Sequence, residues 1–279
     1  MKLLRFGPIG NERPGLLDAA GDIRDLSAIV PDIDAATVTP EGLARLRTLD
    51  PASLPLVEGT PRLGPCVARP GKFVCIGLNY ADHAAETGAA IPDEPIVFMK
   101  ATSALSGPND PILKPRGSTK LDWEVELAFV VGRDCRYVDE AEAEAAIAGY
   151  FVCNDVSERA FQLQSSQWDK GKGCDSFGPI GPWLVTPDEI DDLDNLHMWL
   201  DVNGKRFQDG STSTMIFRPP FILSYLSRFM SLQPGDIVTT GTPPGVGLGQ
   251  TPNVWLDKGD TVSLGIAGLG EQHQHVIDA

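Results

Sequence analysis

The chain has no apolar run that approaches the ~18 to 20 residues of a membrane span, no C-x-x-C pair and no G-x-G-x-x-G fingerprint. It is also short of positive charge: 23 Lys and Arg stand against 38 Asp and Glu, for a formal charge of −15 and a pI of about 4.6. Such a surface repels a phosphate backbone and an anionic bilayer, which excludes nucleic acid and membrane as partners. The opening residues, Met1 to Gly10, lack the apolar stretch and small-residue cleavage site of a signal peptide. The five cysteines, 66, 75, 135, 153 and 174, are odd in number and read as buried free thiols of a reducing cytosol. The expectation is a cytoplasmic protein. The missing glycine fingerprint, with no regular βαβ alternation, argues against a dinucleotide enzyme.

What is present suits a large strand-rich core. With 279 residues, 42% hydrophobic, 29 Gly and 23 Pro, the chain favours many short strands separated by turns. Residues 1 to 26 read as three strands, and Thr39-Pro40-Glu41 as a helix start with Thr39 as N-cap. The Pro-spaced stretch 51 to 70 marks a boundary between an N-terminal module, 1–69, and a larger domain, 70–279. Beyond it come an apolar strand at 72–78, a helix capped by Asn79 or Asp82, and strands at 96–100 and around Trp123–Leu127. Asp139 caps an alanine- and glutamate-rich helix. Residues 151–155 form a strand that passes into a helix over 157–164. Asn203-Gly204 turns a hairpin, and prolines 219 and 220 open a helix. The class is α+β with a predominance of strands.

Glu124 and Glu126 flank Val125 on a strand, so they share one face while Val125 and Leu127 share the other. Two carboxylates on one face of an apolar strand repel unless a cation lies between them, and a hard divalent ion takes oxygen ligands of this kind. Asp155 is the candidate third ligand. An E-x-E pair also suits the solvated face of an edge strand. His83 and Glu86 lie three apart on one helix face, where a carboxylate can orient the imidazole to deprotonate water, or simply pair with it at the surface. Lys172 sits among glycines in a stretch too polar for core, as a ligand-binding lysine or one of several surface lysines in a flexible loop. The turn Thr240–Gly245 could nest a carboxylate or be only a turn. Arg159 and Gln162 follow Asp155 by one and two helical turns and could face the same pocket.

Taken in order, the segments NYADHAAE, FMK, DWEVELAFVVG, CNDVSERAFQ, DKGKGCDSFGPIGP and TTGTPPGVG closely resemble the fumarylacetoacetate hydrolase superfamily from about residue 70 onward. The resemblance implies a rolled mixed β-sandwich preceded by a small α/β module, and a homodimer. It implies that Glu124, Glu126 and Asp155 bind Mg²⁺ or Mn²⁺, with Ca²⁺ as a crystal substitute. His83 and Glu86 match the dyad that activates water on a lid helix, from Asn79 to about Ala90. Lys172 matches the active-site lysine, Gly241 and Thr242 the turn that contacts substrate, and Arg159 and Gln162 positions that contact it in some members. The first 70 residues resemble those of bacterial 2,4-diketo-3-deoxy-sugar-acid hydrolases of rhamnose and fucose breakdown.

The expected function is a metal-dependent hydrolase that cleaves a C–C bond in a 2,4-diketo acid, an acylpyruvate or diketo-deoxy sugar acid, to pyruvate and a second acid. Isomerisation of 2-hydroxyhepta-2,4-diene-1,7-dioate type and oxaloacetate decarboxylation share the metal-stabilised enolate. Only hydrolysis needs a poised water, so the His83–Glu86 pair favours it over these, and ureidoglycolate cleavage fits less well because its substrate is not a diketo acid. A non-catalytic metal-binding module would leave His83, Lys172 and the 240–245 turn without a common purpose.

Overall fold

The computed structural model describes residues 1–88 and 90–279, leaving aside the side chain of Thr87. One ten-stranded sheet runs through the molecule. Its order is Ile23–Asp25, Arg13–Leu17, Lys2–Phe6, Gly178–Val185, Ile147–Asn154, Val125–Val131, Ile237–Thr239, Phe73–Gly77 and Ile96–Met99, with Leu105–Ser106 alongside Gly178–Val185. A second sheet of five strands, Lys205–Ser211, His197–Val202, Thr261–Ile266, Gly270–Asp278 and Ile112–Lys114, packs against it. Both sheets mix parallel and antiparallel pairs. The architecture is strand-rich α+β, as the turn-punctuated sequence indicates.

Val125–Val131 lies in the middle of the large sheet and is buried throughout, so the edge-strand reading of Glu124 and Glu126 is wrong. Its alternation holds. Val125, Leu127, Phe129 and Val131 enter the sandwich core with Met198, Leu200, Val262 and Leu264. Ala128 and Val130 enter a second core on the opposite face, with Leu3, Leu43, Phe73, Phe151 and Cys153. The first three strands extend the same sheet and contribute to that second core. Four of the five cysteines are buried, and burial lifts their thiols above the usual range.

Local signals are confirmed where short-range chemistry dominates. Thr39 caps Pro40–Arg47, and Asp139 with Glu142 forms a capping box on Glu140–Ala146. Asn203 and Gly204 both take positive φ in the hairpin turn. Two expectations fail. The helix expected over 157–164 is a single turn, Arg159–Gln162, because Ser157–Glu158 pairs as a strand with Leu121–Asp122 and the Glu158 carboxylate accepts from the Lys120 and Ala160 amides.

The helix after Phe73–Gly77 spans Ala81–Thr87 with Tyr80 at the N-cap, in place of Asn79 or Asp82. Asn79 is fully buried; its amide donates to the Phe217 and Thr240 carbonyls and its oxygen accepts from Phe217 N–H. The residue therefore joins the helix entry to the turn after Ile237–Thr239. Asn79→Ala would strand those three backbone groups, so it should lower unfolding stability by about 3 kcal/mol. Urea denaturation at constant m-value checks this; an unchanged midpoint would refute the bridging role.

Candidate metal centre and active-site cavity

Strand register assembles the acidic cluster. In the antiparallel pair of Val125–Val131 with Ile147–Asn154, Cys153 faces Glu126 and Asn154 faces Val125. The next step along brings Asp155 opposite Glu124, where Asp155 N–H donates to the Glu124 carbonyl at 2.9 Å. Alternation then puts Glu124, Glu126 and Asp155 on one face, at the strand ends where the second core gives way to a cavity of about 280 Å³. All three are buried, and one carboxylate oxygen from each lies within 4.8 Å of the others.

Three cations hold two of these acids. Lys172 Nζ donates to Glu124 Oε2 and Asp155 Oδ2, both at 2.7 Å. Lys100 Nζ lies 2.5 Å from Asp155 Oδ1 and donates to the Val156 and Lys172 carbonyls. Arg159 reaches Glu124 Oε1 at 2.5 Å, Asp122 Oδ2 at 2.8 Å and Gln162 Oε1 at 3.0 Å. Burial alone would push the Glu124 carboxyl up, but Arg159 and Lys172 outweigh it and hold Glu124 well below the usual carboxylate range. Burial pulls the Lys172 ammonium down, and the charges of Asp155 and Glu124 outweigh that and raise it.

Glu126 is treated differently. Among the described residues no ion pair reaches it; its Oε2 accepts the Gly241 N–H at 3.0 Å. Burial, then the charges of Asp155 and Glu124, push its carboxyl well above the usual range. Asp155 Oδ1, although beside Lys100, has no aligned hydrogen bond among the described residues. Counting Asp122, four carboxylates meet three cations, and Glu126 is the one that no ion pair reaches among the described residues. A hard divalent ion fits that deficit: opposite oxygens of its coordination shell stand ~4 to 5 Å apart for bonds of about 2.1 to 2.5 Å. An all-oxygen donor set suits Mg²⁺, Mn²⁺ or Ca²⁺ and is a poor match for soft metals.

The cavity above the cluster brings the remaining sequence candidates together. His83, Arg159, Gln162, Lys172, Gly241 and Thr242 all line it with Glu124 and Glu126. Lys172 corrects the sequence expectation of a stretch too polar for core: it ends the short helix Asp169–Lys172 and is 2% exposed, its charge balanced from two sides. Gly241 takes φ +89, and a Cβ there would meet Asn79 Cβ at 2.9 Å, so the turn admits no larger residue without moving away from Glu126. Thr242 Oγ1 donates to the Val125 carbonyl and accepts from Gln208. At the mouth, His83 Nδ1 meets Glu86 Oε2 at 2.9 Å, while Glu86 Oε1 accepts the Gly245 N–H at 3.0 Å. The helix expected to act as a lid is therefore clasped to the turn that contacts Glu126. Ala89, within that expected lid segment, lies outside the described residues.

Sequence reading missed Lys100 and Asp122. Both carried a signal. Asp122 extends the alternation of Glu124 and Glu126 by one more step, and Lys100 follows Phe98 on the buried side of the strand Ile96–Met99. Phe98 and Trp168, in edge contact at 5.2 Å, were missed as cavity walls.

With this geometry in place, comparison with known proteins is direct. Residues 72–277 match the family profile described as fumarylacetoacetate (FAA) hydrolase, C-terminal. The chain belongs to the fumarylacetoacetate hydrolase family. A Burkholderia cenocepacia (strain HI2424) relative with a provisional hydrolase name is 60% identical over 281 residues, covering 100% of both chains. The solved fumarylacetoacetate hydrolase of psychrophilic Exiguobacterium antarcticum is 35% identical with a TM-score of 0.90, again over 100% of both chains. Maleylpyruvate hydrolase from Sphingobium sp. SYK-6, solved with manganese(II) and pyruvate, is 28% identical with a TM-score of 0.84 over 100% of both chains.

Two substitutions separate metal binding from folding. Glu126→Gln removes the uncompensated buried charge, so the metal-free variant should melt no lower than the metal-free parent. It should also lose most of the rise in Tm on adding Mn²⁺, about 2.7 kcal/mol of stabilisation for the parent at a hundred times Kd. An equal Mn²⁺ shift in both proteins would exclude Glu126 as a ligand. Lys100→Met removes one of the two buried cations on Asp155, leaving Oδ1 unmatched while Lys172 still holds Oδ2, and should cost about 3 kcal/mol. A midpoint within error of the parent would refute that role.

Proposed function

We propose that this chain is a Mg²⁺- or Mn²⁺-dependent hydrolase that cleaves the C–C bond between the two carbonyls of a 2,4-diketo acid, releasing pyruvate and a second acid. The observation that carries this reading is the placement of three buried carboxylates, Glu126 among them without an ion pair among the described residues, at the floor of the cavity whose mouth holds His83 paired with Glu86. The Sphingobium relative, solved with manganese and pyruvate, supports both the metal class and the product.

Glu124, Glu126 and Asp155 would hold the ion, which when bound supplies Lewis acidity to the 2-oxo acid end and neutralises charge developing there. The chain's own groups do the rest. With Nδ1–H donating to Glu86, the His83 imidazole presents Nε2 as its basic nitrogen. His83 then takes a proton from water as the water oxygen bonds to the C4 carbonyl. The C3–C4 bond breaks, its electron pair passes to C3, and a proton returned to C3 yields pyruvate. The carbonyl fragment keeps the water oxygen and leaves as the second acid. Lys172 and Arg159, buried at the floor, hold the negative charge as it moves through the pyruvate fragment, where low dielectric strengthens their effect. The Glu86 bond to Gly245 keeps the helix of His83 over the cavity, which limits access of bulk water.

A screen of 2,4-dioxo acids, oxaloacetate and ureidoglycolate, with and without Mg²⁺, should show metal-dependent pyruvate release from the 2,4-dioxo acids. His83→Ala should lower that hydrolysis by about two to four powers of ten, the range of a general base. Decarboxylation and enolisation, which need no activated water, should fall far less. Equal losses of all three activities would contradict the role given to His83 and the choice of hydrolysis.

A further inference from the structure

The floor and the walls of the cavity differ in chemistry. Its cations, Arg159 and Lys172, both lie at the floor, already engaged with Glu124, Asp122 and Asp155. The walls rising from that floor are Ile96, Phe98, Leu163, Trp168 and Leu248. No other Lys or Arg lines the cavity among the described residues, and the imidazole at the mouth is matched by Glu86. Leu163 and Leu248 carry the apolar wall out to the rim, where they are 60% and 38% exposed. Leu163 follows directly on the turn that carries Arg159 and Gln162, so its wall is continuous with the floor.

A carboxylate placed against these walls would trade part of its hydration for apolar contact with no cation beside it, the Gln162 amide being a neutral donor only, which is unfavourable. An alkyl group there would leave water at no such cost. The volume of about 280 Å³, just below the usual ~300 to 1,000 Å³ of ligand pockets, also has to hold the dioxo-acid head. We infer that the substrate tail is short and uncharged, so that the chain acts on an acylpyruvate ending in an alkyl group and discriminates against tails that end in a second carboxylate. This inference rests on the functional reading above for the orientation of the head toward the carboxylate cluster.

The test uses the Mg²⁺-loaded protein and a matched pair of 2-oxo acids. These are 2-oxoglutarate and 5-methyl-2-oxohexanoate, in which an isopropyl group replaces the terminal carboxylate. By calorimetry the neutral acid should bind at least ~10-fold more tightly. Leu163→Lys, which sets a cation in the wall, should narrow that ratio. Equal or tighter binding of 2-oxoglutarate by the parent, binding of neither acid, or a ratio unchanged in Leu163→Lys would each overturn the inference. Turnover of 2,4-dioxopentanoate and maleylpyruvate is measured beside it. A preserved binding preference with no cleavage of either compound would remove the hydrolase reading and leave the tail assignment standing; faster cleavage of maleylpyruvate would overturn the assignment.

Discussion

Glu124 and Asp155 face each other across an antiparallel strand pair, with Glu126 one step along the same face, and burial keeps all three from bulk water. Like charges this close in a low dielectric are costly, and much of the surrounding structure answers that repulsion. Lys172 spans Glu124 and Asp155, Lys100 backs Asp155, and Arg159 ties Glu124 to Asp122. These three cations come from three separate segments, so the cluster draws together the strand Ile96–Met99, the turn Arg159–Gln162 and the helix Asp169–Lys172. Among the described residues no ion pair reaches Glu126. The arrangement stabilises two acids and leaves the third for the metal proposed above.

The same cluster organises the cavity mouth. Glu126 accepts from Gly241, whose positive φ brings the turn against Asn79. Asn79 fixes the entry to the helix of His83, and Glu86 returns to the turn at Gly245. The His83–Glu86 pair and the acidic cluster are therefore joined through side chain-to-backbone hydrogen bonds over a short path. The helix is also held through Asp82, whose carboxylate accepts from the Thr214 hydroxyl.

Much of this was legible in the chain. Alternation placed Glu124 and Glu126 on one face, and the ordered motifs matched a family that the comparisons support. Cap and turn chemistry located Thr39, Asp139 and Asn203-Gly204 because those signals act within a few residues. What escaped was set by tertiary context. Strand register, which brings Asp155 opposite Glu124, depends on pairing between segments some thirty residues apart. The residues around Lys172 left a ligand-binding and a surface reading open, and Lys100 drew no notice, because nothing near them in sequence shows the carboxylates that neutralise them. The helix expected at 157–164 lost most of its length to the pairing of Ser157–Glu158 with Leu121–Asp122, a contact local propensity does not register.

The central claim is that the cation deficit at Glu126 marks a metal site. A crystal soaked in Mn²⁺ and measured at an anomalous wavelength tests it most directly. The account predicts one strong peak per chain, with oxygens of Glu124, Glu126 and Asp155 at ~2.0 to 2.5 Å, water or a 2-oxo acid completing the shell, and Lys172 still within reach of the pocket floor. Absence of a peak at that position, with Lys172 continuing to bridge Glu124 and Asp155 at saturating Mn²⁺, would contradict it.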